Sequence, residues 1–372
     1  MRQKSHKKAN EHLYITNDFA LAMTVSLFQK VFLTEKELFP DIIGQEKLKE
    51  DLKSALLMCR NIVILGPPGI GKTTLAKNVA KVLPDMEVND CLYHCLPKQP
   101  LCPSCQSSKK IKTKIVKGSE RFIRIQGSPD LTVEDLFGDI DPIKALEFGP
   151  LSLQAFTPGK IFKANNGVLF FDELNRCPEK LQNALLQVLQ EHIVTIGTYD
   201  IDFPVQFIFI ATMNPQDTNT ERLSDVLLDR MDMLYMTYPE TAELEEEIVL
   251  EKAHKMLITF PSPLLRYLVC FVRELRDNKN LEKVPSVRAS IGIYERAQST
   301  ALLHNRQEVS LDDVKQVIHS VVAHRIKLKP SIRYLQSTQE FLQKELEEYS
   351  EHGLGKQATE QRSFDEEKGE FP

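Results

Sequence analysis

Five short apolar runs punctuate the first two thirds of the chain: NIVIL (61–65), RFIRIQ (121–126), GVLFF (167–171), QFIFIAT (206–212) and MLYMT (233–237). Runs of this length, rich in Ile, Val and Phe, predict strands buried on both faces. Between them the apolar positions recur every three to four residues, as in EKLQNALLQVLQEH (179–192), which predicts amphipathic helices. Buried strands alternating with helices predict an α/β domain with a parallel five-stranded sheet between two helical layers.

Beyond Pro239 the pattern changes and no further strand is expected. TAELEEEIVLEKAHKML, PSPLLRYLVCFVRELRD, VRASIGIYERAQSTALL and SLDDVKQVIHSVVAHRI each show helical spacing, and Ser310 followed by two acids marks a helix start. These segments predict an all-α domain over 239–330. From 331 to 372 the chain turns polar and acid-rich, reading as a last helix that fades into a tail. Residues 1–38 form an extension, basic at Arg2, Lys4, Lys7 and Lys8 and then apolar in FALAMTVSLF (19–28). That stretch is too short to span a bilayer. With Asn17 and Asp18 at its edge and no small-residue cleavage site after it, it reads as an amphipathic helix packed on the main domain rather than a signal peptide. The expected division is therefore 1–38, 39–238 with an insertion at 88–118, 239–330 and 331–372.

Composition narrows the class. A chain of 372 residues exceeds what one hydrophobic core serves well, so more than one domain is expected. A net charge of −5 provides no global attraction to nucleic acid. The seven cysteines are odd in number and unevenly spread, four of them in CLYHCLPKQPLCPSC (91–105). That pattern argues against a secreted disulfide scaffold and for a reducing compartment such as the cytoplasm.

The sharpest chemical signal is ILGPPGIGKTT, in which Gly66, Gly71, Lys72 and Thr73 satisfy G-x-x-x-x-G-K-[ST]. A strand directly before it and a helix directly after it supply the required context. The backbone from Gly66 through Pro67, Pro68, Gly69, Ile70 and Gly71 to Thr74 would wrap the phosphates of ATP. Lys72 would reach the β- and γ-phosphates, and the Thr73 hydroxyl would hold Mg²⁺. VLFFDE puts Asp172 and Glu173 at the carboxyl end of a buried strand, where parallel sheets gather ligands. Asp172 suits Mg²⁺ coordination and Glu173 the general base for water attack. Asn214, just past FIFIATM, is placed either to position that water or simply to end its strand.

These residues together resemble the AAA+ ATPase superfamily. DIIGQEKLKEDL resembles its adenine-side segment, which implies that Ile42, Ile43, Gly44 and Gln45 line the base. LQEHIVTIGTYDIDFPVQFIFIAT resembles a β-hairpin inserted before the Asn-bearing strand, and GDIDPIKALEFGPLSLQAFTPGKIFKANNGVLFFDELNR resembles a helix-2 insertion. Both mark the clade of MoxR-type ATPases and the ATPase (I) subunit of magnesium chelatase, over residues 40 to 330 or so. The resemblance implies an all-α lid, Arg230 of LLDRMD as an arginine finger acting on a neighbouring subunit, with Arg222 as the alternative, and Arg288 of VPSVRAS as the sensor-2 arginine. It also implies a ring, expected as a hexamer.

The same clade includes DNA motors, but the hairpin HIVTIGTYDIDFPVQ has no Lys or Arg and carries Asp200 and Asp202. Lys144 and Lys160 in the preceding insertion are balanced by Asp139, Asp141 and Glu147. Nucleic acid is therefore disfavoured as a substrate. The expectation is a MoxR-like motor acting on a protein client or on a separate von Willebrand-A-type partner. The alternatives are the motor of a chelatase that inserts Mg²⁺ into a porphyrin, and a nucleotide-binding scaffold that does not hydrolyse. Cys91, Cys95, Cys102 and Cys105 lie in the insertion, away from the phosphate loop. They read as a structural Zn²⁺ site, with His94 able to replace one thiolate, as plain reduced thiols, or as a redox pair.

Overall fold

A computed structural model describes residues 28–34, 37–107, 111–149, 152–196, 201–214 and 223–351. The expectations for residues 1–27, for Arg222 and for the acidic tail after 351 lie outside the described residues.

The first compact unit comprises the described residues up to Pro67 together with those of Gly71–Met236. Its sheet has five parallel strands: β1 (Asn61–Leu65), β2 (Phe122–Gln126), β3 (Gly167–Asp172), β4 (Phe207–Met213) and β5 (Met231–Tyr235), ordered β5-β1-β4-β3-β2. The central strands are buried throughout, Ile62 to Leu65 and Val168 to Phe171, as their unbroken apolar runs require. Helices α1 (Glu46–Leu57), α2 (Lys72–Val82) and α3 (Glu179–Glu191) turn their apolar stripes inward, α3 through Leu181, Leu185, Val188 and Leu189.

Four strands differ from the expected bounds: β3 extends one residue to Asp172, β4 is shifted by one to Phe207–Met213, and β2 and β5 differ for reasons visible in the structure. β5 starts two residues early and ends at Tyr235 instead of Thr237. Asp232 interrupts the apolar run, but β5 is an edge strand, and Asp232 pairs with Arg60, Nη2 to Oδ1 at 2.8 Å. β2 begins at Phe122, because Arg121 closes a 3-10 turn (Gly118–Arg121). Three two-stranded antiparallel ribbons decorate the core: Met86–Asn89 with Thr113–Val116, Gly138–Ile140 with Phe156–Pro158, and Ile193–Ile196 with Ile201–Pro204.

The second unit holds Pro68–Ile70 and the described residues from Thr237 on. Its helices are α4 (Ala242–Lys252), α5 (Ser262–Asp277), α6 (Val287–Leu303) and α7 (Leu311–Val322). Contrary to the expectation that strands stop after Pro239, Leu281–Lys283 pairs antiparallel with Lys327–Leu328. Segments of two and three residues carry no readable period, so only their approach in space reveals the pairing. A further helix at 338–351 buries Phe341, Leu342 and Leu346 in this unit's core. Glu245, fully buried, receives both guanidinium nitrogens of Arg276 at 2.5 and 2.6 Å and the Ser290 hydroxyl at 2.6 Å, tying α4, α5 and α6 together.

Candidate nucleotide site and thiol cluster

β1 delivers the chain into the loop at Gly66, whose N–H donates to the Met213 carbonyl at 3.3 Å. Asn214 therefore leaves β4 directly beside the first residue of the loop. The loop closes on Gly71, which caps α2 at φ 108, a conformation that favours glycine, and no side chain caps the helix. The amides of a helix's first turn are donors of the kind that meet an anion. Lys72 Nζ folds back onto the carbonyls of Gly66 (2.5 Å) and Pro67 (2.9 Å). The ammonium is thus already bent over the loop that would hold phosphates. Thr73 and Thr74 follow in the first turn, with the Thr74 carbonyl accepting from Asn78.

Ile42 lies close to the loop at Gly71. A β-carbon on Gly71 would lie 3.3 Å from Met236 Cε and 3.6 Å from Ile42 Cδ1. Ile42 is buried and Ile43 partly exposed, and Gly44 and Gln45 both adopt left-handed backbone before α1. In the second unit, which includes the loop tip Pro68–Ile70, a β-carbon on Gly69 would come within 3.1 Å of Arg288 Cδ and 2.7 Å of Ser286 Oγ. Arg288 is exposed in the first turn of α6.

Asp172 and Glu173 close β3 on the same carboxyl-end edge as the loop. The Thr212 hydroxyl, on β4 and fully buried, donates to Asp172 Oδ1 at 2.7 Å and accepts from the Glu173 N–H at 3.0 Å. Arg124 Nη2 meets Asp172 Oδ2 at 2.5 Å. Glu173 sits in the left-handed region (φ 57), its Oε2 held by Gln126 Nε2 at 2.8 Å and by Arg176 Nη1 at 3.2 Å. Gly127 permits this approach, since a β-carbon there would fall 2.1 Å from the Glu173 carbonyl oxygen. Thr212, Arg124 and Gln126 were not singled out from the sequence. One signal was present: Arg124 and Gln126 are two polar residues at period 2 in an apolar run, hence on one face, and β2 registers Gln126 against Asp172. The Thr73 hydroxyl and Asp172 carboxylate are hard oxygen donors of the kind Mg²⁺ takes, and they fit that ion.

Arg230 stands apart. Its Nε donates to Gln190 Oε1 (3.2 Å) and its Nη1 to the Val226 carbonyl (2.7 Å). It precedes Met231, which registers with Asn61 at the start of β1, whereas the phosphate loop follows Leu65 at the end of β1. Five residues of strand separate those edges by about 13 Å. Arg230 and the loop of its own chain therefore lie on opposite edges of the sheet.

Cys91, Cys95, Cys102 and Cys105 bring their four sulfurs within 4.8 Å of one another, and all are free thiols. His94 is not in this set; its buried Nδ1 has no hydrogen-bond partner. Hydrogen bonds from the Cys102 and Cys95 thiols draw the Cys91 thiol well below its usual range, while the bond to Cys91 pushes Cys102 up. The directions are those of one thiolate, on Cys91, held by neighbouring neutral thiols, in a mostly buried site. No helix among the described residues is long and apolar enough to cross a membrane.

Comparison with known proteins covers both units. The family described as "ATPase family associated with various cellular activities (AAA)" matches residues 101–233, "Magnesium chelatase, subunit ChlI" matches 38–100, and "AAA lid domain" matches 283–345. A magnesium-chelatase subunit ChlI homolog of Methanocaldococcus jannaschii is 27% identical over 333 residues, covering 78% of this chain and 86% of its own. The chloroplastic magnesium-chelatase subunit ChlI-2 of Arabidopsis thaliana is 28% identical over 326 residues, covering 78% and 76%. A solved complex of the magnesium-chelatase subunits BchI and BchD includes a chain similar at 20% identity and TM-score 0.46, over 82% of this chain and 98% of that one. With the phosphate loop, the acidic strand end and the lid each falling within a matched range, the chain is similar in sequence to AAA ATPases and to the magnesium-chelatase ATPase (I) subunits.

Proposed function

We propose that the chain is the ATP-hydrolysing subunit of a ring, expected as a hexamer, that remodels a protein partner or client in the manner of MoxR-type motors. The observation that carries the reading is the pairing of Asp172 and Glu173 through Thr212 on the same sheet edge as Lys72. In this reading the loop from Gly66 to Thr74 cradles the phosphates, and Ile42 and Ile43 face the base. Lys72 neutralises the β- and γ-phosphates, and Glu173 takes the proton of the attacking water, with Asn214 helping to position it. Thr73 and Asp172 would hold Mg²⁺, which supplies charge neutralisation on the phosphates. Arg288 reads the nucleotide from the lid. Arg230 serves the site of the neighbouring subunit, a role supported by its position on the opposite sheet edge from its own loop.

A protein rather than nucleic acid is supported as the target by the ribbon Ile193–Ile196/Ile201–Pro204, whose described residues include Asp202 and no Lys or Arg. A von Willebrand-A-type protein is the proposed partner, and the cytoplasm the proposed compartment. A second reading, the motor of a magnesium-chelatase-like complex, is favoured by the match of residues 38–100 and by the names of the relatives. Separately from the nucleotide, the four cysteines are proposed to hold structural Zn²⁺.

ATP turnover by the wild type and its loss in Glu173→Gln, with nucleotide binding kept, tests the hydrolytic reading; equal rates would overturn it. Affinity capture on the ATP-stalled Glu173→Gln chain distinguishes the two finer readings. A retained von Willebrand-A protein alone supports the first. Retention of a porphyrin-binding subunit supports the second.

A further inference from the structure

We infer that the metal-bound Cys91–Cys105 knuckle braces the roots of the two inserted ribbons, so that Zn²⁺ occupancy sets their order; this rests on the zinc reading of the cluster. Four thiolates around Zn²⁺ at about 2.3 Å would sit about 3.8 Å apart, and the sulfurs here already lie within 4.8 Å of one another. Backbone amides already point at the sulfurs. Leu101 N and Cys102 N donate to Cys95 Sγ (3.3 and 3.4 Å), Cys95 N to Cys91 Sγ (3.4 Å) and Cys105 N to Cys102 Sγ (3.4 Å). Amides aimed at sulfur stabilise thiolate, the form that binds metal. Cys95, Cys102 and Cys105 are buried, a setting in which thiolates without a cation would repel one another.

The knuckle is joined to the core at two kinds of contact. The Tyr93 ring, between the first two cysteines, packs on Phe162 (5.1 Å, edge-on) and Phe203 (5.9 Å, stacked), and Phe162 packs in turn on Phe156 and Phe203. Phe156 and Phe203 belong to the returning strands of the two ribbons. The Tyr93 and His94 carbonyls accept from Asn165 Nδ2 (3.2 Å) and Asn166 Nδ2 (3.4 Å). Those asparagines bind Gln206, Gln206 N to Asn165 Oδ1 at 2.9 Å and Asn166 N to Gln206 O at 2.6 Å. Asn166 directly precedes β3 and Gln206 directly precedes β4, so one small loop meets the starts of both strands and, through Phe162 and Phe203, the returning strands of both ribbons. The loop's own secondary structure is slight, one five-residue helical turn and an isolated bridge between Leu96 and Gln99, so the metal is what would hold it in shape.

The test combines metal analysis with hydrogen exchange on the full chain purified under reducing conditions. The expected result is about one zinc per chain, a tetrahedral thiolate absorption spectrum on Co²⁺ substitution, and loss of both in Cys102→Ser/Cys105→Ser. Stripping the wild type of metal should speed amide exchange at 160–166 and 201–206 at least tenfold while leaving β1 and α2 unchanged. Less than half a zinc with no Co²⁺ uptake, or cysteines recovered as disulfides, overturns the zinc reading and the inference with it. Bound zinc whose removal leaves exchange at 160–166 and 201–206 unaltered keeps the metal site and overturns the brace. Asn165→Ala supplies a control in which the cysteines are untouched: zinc retained, exchange at 201–206 faster. Unaltered exchange in that variant also counts against the brace.

Discussion

Gln126 on β2 donates to Glu173 at 2.8 Å, fixing a carboxylate whose backbone is held in a left-handed turn. The amide gives Glu173 an orientation that the turn by itself does not. Gln126→Ala should lower ATP turnover about tenfold with little change in nucleotide Kd, because an unpositioned base loses rate rather than binding. Gln126→Glu should lower it further through repulsion between like charges. Steady-state kinetics beside a fluorescent-nucleotide titration decide this, and a turnover unaffected by either change would remove Gln126 from any positioning role.

Arg230 lies on the opposite sheet edge from the phosphate loop. Arg230→Ala should bind ATP normally yet lose turnover by roughly a thousandfold, the scale of a missing arginine finger. Equimolar mixing with Glu173→Gln chains should then restore activity at interfaces where the intact Arg230 of one chain meets the intact Glu173 of the next. Mixed samples no more active than the separate variants would show that Arg230 does not act between subunits.

The buried Glu245 is bound by Arg276 and Ser290, with Arg273 at 3.7 Å. Glu245→Ala would leave the Arg276 side chain, only 6% exposed, without its carboxylate partner. Removing one member of such a pair costs about 3–5 kcal/mol. The expected outcome is a lower denaturant midpoint for the helical unit, and a loss below 1 kcal/mol would argue that water reaches Arg276.

Asp313 is the N3 residue of α7, where it accepts from Arg306, Ser310 N–H and the Ser310 hydroxyl. Burial works to raise its pKa, but Arg306 and Ser310 outweigh it and hold the carboxyl at about 2. Because the folded value lies below the unfolded one, this stabilisation is complete above the ordinary carboxylate pKa of 3.8. It is lost as pH falls from there toward 2. Asp313→Asn should be less stable than wild type by about 2 kcal/mol at neutral pH, and the gap should close on acidification through that window. A gap that stays constant across it would assign the loss to packing.

Much of the fold could be read directly from residue order. Five apolar runs named the strands because a buried parallel strand needs an apolar residue at nearly every position. The helical unit followed from its three-to-four spacing. The misreadings cluster at edges: Asp232 hid the start of β5, tolerable only because an edge strand can send a charge outward to Arg60. The pairing of Leu281–Lys283 with Lys327–Leu328 was invisible because a two-residue strand has no period.

For the site, the sequence by itself determined the phosphate loop, the acidic pair and the thiol cluster, since each is a contiguous or near-contiguous motif whose chemistry depends on residue type and short spacing. The tertiary structure alone decided who holds those groups. Thr212, Gln126 and Arg124 reach Asp172 and Glu173 from strands 39 to 48 residues away, through a parallel register that local patterns cannot specify. It also decided that Tyr93 and the asparagines before β3 meet across 72 residues of sequence. Side-chain hydrogen bonds between distant segments depend on which strand lies beside which, and that order is set by the packing of the whole sheet.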